Sequence, residues 1–274
     1  MDGTAALGIL KEALVITLVV TALMMAIEAL NYFLKGKMSA FARKGRFAQV
    51  LTASLLGAVP GCTGGYISVS LYSRGMFSFG ALLAMMVSTT GDEAFLMLAL
   101  FPKTALIIFV ALFALGLAAG LVYDALTRRK KGEESYISGA AAADAEGQTL
   151  RGRLLHILPH ALKVFVWTFG IMIAVEFAGQ YVDVPEWIKA HPAVSILAAV
   201  VVGLVPQSGP HMAFVKLFAD GVLPLSALIA SCIVQEGHAG LPLLSQDKKA
   251  FVRGKLIKVA LALIIAGLMS LAGL

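Results

Sequence analysis

The chain has 274 residues, 59% of them hydrophobic and 14% charged, whereas soluble domains carry roughly a quarter charged residues, so an ordinary soluble fold is excluded. The formal charge of +6 sits in short basic runs that flank apolar stretches without interleaved aromatics, which excludes a nucleic-acid surface and fits membrane orientation. Cys62 and Cys232, the two cysteines, lie inside apolar segments and form no CxxC pair, so neither a disulfide framework nor a structural zinc site is expected.

The first apolar stretch, Ala13 to Leu34, follows the acidic Met1-Asp2-Gly3 and carries Glu12 at its edge and Glu28 within. With no basic leader and no small-residue cleavage site, it argues against a removable signal peptide. Together with Thr104 to Leu121 and Leu256 to Leu274, it approaches the ~20 residues a helix needs to cross a bilayer, and all three are predicted to span. The next segment, Ala48 to Val59, runs into Pro60-Gly61-Cys62-Thr63-Gly64-Gly65, where proline removes a donor and the glycines permit a reversal. The limbs on either side hold about 8 to 13 residues, too short to span at 1.5 Å per residue. They predict a re-entrant helical hairpin. The following apolar segment is interrupted by Ser88-Thr89-Thr90-Gly91-Asp92-Glu93; such polar breaks are tolerated at membrane depth only inside protein or beside a wet cavity. Asp124 to Leu154, with Arg128-Arg129-Lys130-Lys131 and a small polar run from Ser138 to Asp144, reads as a flexible cytoplasmic linker.

Beyond the linker the same unit is written again. Gly57 to Lys103 aligns without a gap on Gly203 to Lys249, with 12 of 47 positions identical, and the matches of Gly and Pro fall in register across both interruptions, which marks a duplication. The second hairpin carries Pro206-Gln207-Ser208-Gly209-Pro210-His211 at its turn, and the second broken helix Val234-Gln235-Glu236-Gly237-His238-Ala239-Gly240. The preceding helices correspond as well, Ala26-Ile27-Glu28 resembling Ala174-Val175-Glu176 and Glu12 falling opposite His160.

Basic residues choose the topology. If every apolar segment spanned once, the 19 Lys and Arg outside the segments would divide about 11 to 8. If the two Pro-Gly segments return to their own side, 16 fall on one face and only Lys11, Lys103 and Lys189 on the other. The positive-inside rule therefore selects three spanning helices, one of them broken, and one hairpin per unit. An odd number of crossings makes the units antiparallel. The expected fold is thus an all-α integral membrane protein of two inverted repeats: residues 1–123, a cytoplasmic linker 124–154, and residues 155–274. It would sit as a multi-pass protein of the cell inner membrane with both termini outside.

Four interruptions converge near the midplane in such a fold. Half-helix N-termini alone would favour an anion, but Asp92, Glu93 and Glu236 with His211 and His238 in low dielectric require a cation or protons, and oxygen with imidazole suits Mn²⁺, Zn²⁺, Fe²⁺ or Co²⁺. Asp92, Glu93, Glu236 and His238 are the expected metal ligands, with Cys62, Thr90, Gln207, His211 and Gln235 as nearby contributors. Thr90 pairs with Glu236 in the repeat and Asp92 with His238, a divergence that suits an asymmetric metal site. Simpler roles compete: Asp92 and Glu93 as caps of freed amides, Thr89 and Thr90 as backbone-bonding residues, Cys62, Met85 and Met86 as packing.

The pattern GAVPGCTGGYISVSLYSRGMFSFGALLAMMVSTTGDEAFLMLA, followed by GLVPQSGPHMAFVKLFADGVLPLSALIASCIVQEGHAGLPLL, resembles the ten-helix (10TM) heavy-metal exporter family, whose members are also described as manganese transporters or arsenic efflux proteins. The resemblance covers nearly the whole chain and implies metal export; counting each hairpin limb gives five helical elements per repeat. The expected function is export of a Mn-like divalent ion by alternating access with proton coupling. No enzyme activity and no resident cofactor are expected; the partners are the bilayer and a small inorganic ion, and a homo-oligomer is permitted. Two rival readings are an oxyanion or arsenical permease and a polyprenyl-phosphate flippase or phosphatase, the latter because Pro-Gly-Cys-Thr-Gly-Gly is similar to re-entrant loops of bacterial undecaprenyl-phosphate proteins. A phosphatase needs a positive clamp, and no Arg lies in any interruption, Arg74 being the nearest.

Overall fold

A computed structural model describes residues 3–42, 45–127, 150–178, 184–205, 209–236 and 240–273. Every regular element among them is an α-helix, as expected where backbone polar groups must be satisfied without water. The first half comprises α1 (Gly3–Ala42), α2 (Arg46–Ala58), α3 (Thr63–Ser73), α4 (Phe79–Ser88), α5 (Glu93–Leu100) and α6 (Pro102–Leu126). The second comprises α7 (Leu150–Ala178), α8 (Val184–Ala190), α9 (Pro192–Gly203), α10 (Gly209–Ala219), α11 (Leu225–Val234), α12 (Gly240–Gln246) and α13 (Lys248–Leu271).

The duplication seen in sequence recurs in these boundaries. The bounds of α3 and α10, and of α4 and α11, differ by the 146 residues that relate the two units, and those of α2 and α9, α5 and α12, and α6 and α13 follow within one residue. The breaks have local causes. α2 stops at Val59-Pro60, and Gly61 turns the chain at φ 97°. α4 ends on extended Thr89, and Gly91 turns at φ 57° before α5 begins. Neither conformation suits a residue with a Cβ. α2, α3, α9 and α10 have 11 to 13 residues, or about 17 to 20 Å of helix, well short of the ~30 Å hydrocarbon core.

The broken helix α4–α5 lies at the centre. Its apolar window, Phe79–Leu100, is 94% buried, against 17% for Leu7–Ala26, 33% for Pro102–Leu126 and 28% for Lys248–Leu271. The outer helices present Leu7, Leu18, Ile107, Val110, Leu256 and Leu268 outward, a surface that a bilayer would cover. α4 packs between α2 and α6, α11 packs between α9 and α13, and α1 packs along α7. Small residues make the closest approaches: a Cβ on Gly57 would stand 2.6 Å from the Met85 carbonyl, and one on Gly120 2.5 Å from the Gly80 carbonyl. Such contacts stand in for the hydrophobic drive that lipid removes.

Side chains fix the helix ends. Ser78 caps α4, its hydroxyl accepting from Ala81 N at 3.0 Å and donating to Asp124 Oδ2 at 2.6 Å. Gln49, near the start of α2, accepts from Ser78 N at 3.3 Å, while the far end of the α2–α3 segment meets the break in α4–α5 through Gly61 N donating to Gly91 O at 3.0 Å. Tyr72 at the end of α3 donates to Asp247 at the start of α13 (3.2 Å), and Ser73 bonds Gln246. The repeat equivalents of Tyr72 and Asp247 are Phe218 and Phe101, and they also meet, edge to face, with centroids 5.0 Å apart. Beside that second pair, Lys216 on α10 donates to Glu12 on α1 at 2.9 Å and to Asp220 at 2.6 Å.

Two hydrophobic clusters occupy the interior. One takes in α2, α3 and α4 as far as Val87, with Leu243, Ala250 and Phe251; the other begins at Ala94 on α5 and extends through α1, α6, α7, α9, α10, α11 and α13. The polar run 88–93 falls at their junction.

Candidate functional site

At that junction the chain gathers its buried polar groups. Thr89, Thr90, Asp92, Glu93, Gln235 and Glu236 are all 5% exposed or less. Equivalent residues of the two units touch there: Gln235 Nε2 donates to the carbonyl of Thr89, 146 positions earlier, at 3.0 Å. The first hairpin turn contributes Cys62, whose Sγ donates to Asp92 Oδ1 at 3.3 Å. Tyr66, half-buried on α3, stands near both. Thr63 opens α3 beside them.

Glu93 is the least compensated group. It is 1% exposed, and no N–H or O–H group among the described residues donates to either carboxylate oxygen. Its charged neighbours are Asp92 and Lys258, and the Cys232 thiol on α11 lies beside it. Thr90 Oγ1 is likewise buried without a hydrogen-bond partner among the described residues. Among the described residues, Asp92 occupies the N-cap of α5 without a capping hydrogen bond from its side chain, and no backbone amide donates to Glu93. The packing role holds for Met85 and Met86, which are 2% and 1% exposed; the Met86 side chain lies against Gly254.

Glu236 has different company. Lys258 Nζ stands 3.2 Å from its Oε1 and Lys255 Nζ 3.6 Å from its Oε2. Both lysines are on α13, 0% and 5% exposed. Lys258 also donates to Met86 O at 2.6 Å and to Gln235 O at 2.7 Å, and Lys255 to Gly203 O at 3.0 Å and Val234 O at 2.9 Å. The lysines thus take up carbonyls freed where α4, α9 and α11 stop, at ends whose dipoles favour cations. Lys255, which the charge pattern assigns to the cytoplasmic face, is corrected by this burial; the count becomes fifteen against three and its direction stands. The signal for the pair was present as two lysines one turn apart at the head of an apolar helix. Their equivalents, Phe109 and Leu112, hide it from a comparison of the repeats. Cys232 and Tyr66 also escape sequence reasoning, since nothing in their spacing separates them from packing residues.

His211 is fully buried but lies within the second unit, 3.4 Å from Ser231 Oγ and 3.4 Å from Val205 O. Among the described residues no hydrogen bond joins it to Asp92 or Glu93. Gln207, Ser208 and His238 lie outside the described residues, as does the side chain of His160. Among the described residues, no three His, Cys, Asp or Glu side chains stand close enough to enclose a metal ion.

A family model described as "Putative, 10TM heavy-metal exporter" matches residues 10–175 and 139–270 of the chain. No curated protein and no solved structure matches it.

Proposed function

The chain belongs to this heavy-metal exporter family, and from that premise we propose that it carries a Mn-like divalent metal ion through the membrane by alternating access, with Asp92 and Glu93 at the heart of the site. The observation that carries the reading is the Glu93 carboxylate, buried with no N–H or O–H donor on either oxygen among the described residues. In low dielectric such a group needs a proton or a cation, so metal and proton exchange at one carboxylate would couple the two fluxes. Thr90 Oγ1, buried without a hydrogen-bond partner among the described residues, supplies further oxygen, and Glu236, held by Lys258 and Lys255, stands at the edge of the site. His238 and Gln207 remain part of the proposed site, with Gln235 and His211 in its wall. The thiols of Cys62 and Cys232 beside the two carboxylates extend its range toward Zn²⁺ and Cd²⁺. An oxyanion fits less well. Lys258 spends its three donors on Met86 O, Gln235 O and Glu236, leaving none for a ligand.

Alternating access needs two arrangements of one frame, and an inverted repeat supplies them. Its support is the doubled contact: position 72 with 247 and position 218 with 101 pair the end of each α3-type helix with the end of the other unit's broken helix. Thr89 and Gln235 meet midway between. The proximity of Gln49 to Ser78, with Gly61 on Gly91, supports α2–α3 as a hairpin entering and leaving at one end. On this reading the termini and Lys216 face outward and residues 128–153 face the cytoplasm of the inner membrane.

The test is uptake of a panel of divalent ions into proteoliposomes, with and without a pH gradient. Wild type is expected to move Mn²⁺ or a related ion faster with the gradient, and Asp92→Asn and Glu93→Gln to be inserted but inactive. Wild-type rates in both variants would remove these carboxylates from the path.

A further inference from the structure

Three oxygens from opposite halves of the molecule converge on the Lys258 ammonium: Met86 O at the end of α4, Gln235 O just past α11, and Glu236 Oε1, at 2.6, 2.7 and 3.2 Å. Two carbonyls and a carboxylate surround one positive charge at helix C-termini, with no exposure, an oxygen environment that favours a cation. The occupant here is covalently attached. Lys255 fills an adjoining position on Gly203 O and Val234 O, with Glu236 Oε2 at 3.6 Å. In the first unit the corresponding places hold Leu112 and Phe109, so the ammonium is a feature of one half only.

We propose that Lys258 is a tethered cation occupying a monovalent-ion site between the two broken helices, so that the protein holds α4 and α11 together and neutralises Glu236 without a dissociable co-ion. The inference rests on the reading of Asp92 and Glu93 as the substrate carboxylates. Its physical content is a division of labour: Glu236 is balanced internally, while Glu93 is left for the transported ion. An alkali-metal or ammonium ion could serve in place of Lys258, at the cost of a dependence on its concentration. Met86 O and Gln235 O would otherwise lose their donor, and Glu236 most of its compensation, all inside the protein.

Removal of the side chain tests this directly. Lys258→Ala opens a space lined by those three oxygens. Purified Lys258→Ala and wild type are melted and assayed for divalent-metal transport in choline, Na⁺, K⁺ and NH₄⁺ chlorides at matched ionic strength. Wild type is expected to melt and transport alike in all four. The variant is expected to melt several degrees higher in at least one of the small cations than in choline, the linkage expected of a ligand that binds only the folded state, and to transport at least about tenfold faster in that salt. Equal melting and equal rates in every salt overturn the proposal. If Lys258→Ala folds in none of them, Lys258→Gln decides, because the amide keeps donors for the carbonyls but carries no charge: the proposal expects transport at least about tenfold below wild type, and wild-type transport overturns it. Failure of wild type itself to transport any divalent ion refutes the carboxylate reading instead, and the salt dependence of the variant's melting still judges the tethered cation.

Discussion

Glu93→Met separates function from stability at the centre of the site. Methionine is close to glutamate in volume, and position 93 is 1% exposed between two hydrophobic clusters. Each buried polar atom left unsatisfied costs about 1 to 3 kcal/mol, and both oxygens of Glu93 are unsatisfied among the described residues. The loss of attraction to Lys258 works against this gain, but that lysine keeps Glu236 at 3.2 Å and two carbonyls. The metal-free variant is therefore expected to be more stable than wild type by about 1 to 3 kcal/mol. Metal reverses the order. At a hundred times its dissociation constant a ligand adds about 2.7 kcal/mol to the folded state, which wild type should gain on addition of Mn²⁺ and Glu93→Met should not. Thermal melts in detergent with and without Mn²⁺ measure both effects. A variant less stable than wild type that still responds to metal would show that Glu93 holds the fold and not the ion, and would refute the reasoning.

Paired cysteines at 72 and 247 should be bridged by a short bifunctional thiol reagent from the cytoplasmic side, and those at 101 and 218 from the outside; bridging of both pairs from one side contradicts the inversion. Cys62→Ser with Cys232→Ser should leave Mn²⁺ transport within about threefold of wild type and lower Cd²⁺ transport at least about tenfold, since thiolate prefers the softer ion; parallel losses for both ions would deny the thiols a selective role. Gly116→Val should abolish folded protein in the membrane, because even a Cβ there would stand 2.6 Å from the Ala84 carbonyl on α4; normal yield and melting would contradict the close packing of α4 on α6.

Helices and their breaks were legible in the sequence because they rest on local chemistry. Pro60, Gly61 and Gly91 interrupt helices wherever they are placed, and the 146-residue register carries those interruptions into the second half. The burial of Asp92 and Glu93 at the break was legible for a related reason: carboxylates in an apolar segment are placed inside protein or beside a wet cavity. The company that Glu236 keeps was not legible. Lys255 and Lys258 lie 19 and 22 residues beyond it; the position of Lys255 suggests a flanking charge, and Lys258 falls inside the apolar stretch that begins at Leu256. Only the tertiary packing of α13 against the ends of α4, α9 and α11 shows that their ammonium groups point inward. The same applies to Cys232, which differs from any apolar residue of α11 only in lying beside Glu93.

The most direct measurement is the position of the ion itself. Protein reconstituted with Mn²⁺, or with Cd²⁺ as a stronger scatterer, would be crystallised and the anomalous signal located. The ion is expected about 2.2 Å from a carboxylate oxygen of Glu93 and within coordination distance of Asp92, with Lys258 still on Met86 O and Gln235 O. An ion bound elsewhere in the membrane interior, with none on either Glu93 oxygen in a protein that transports, would contradict the account.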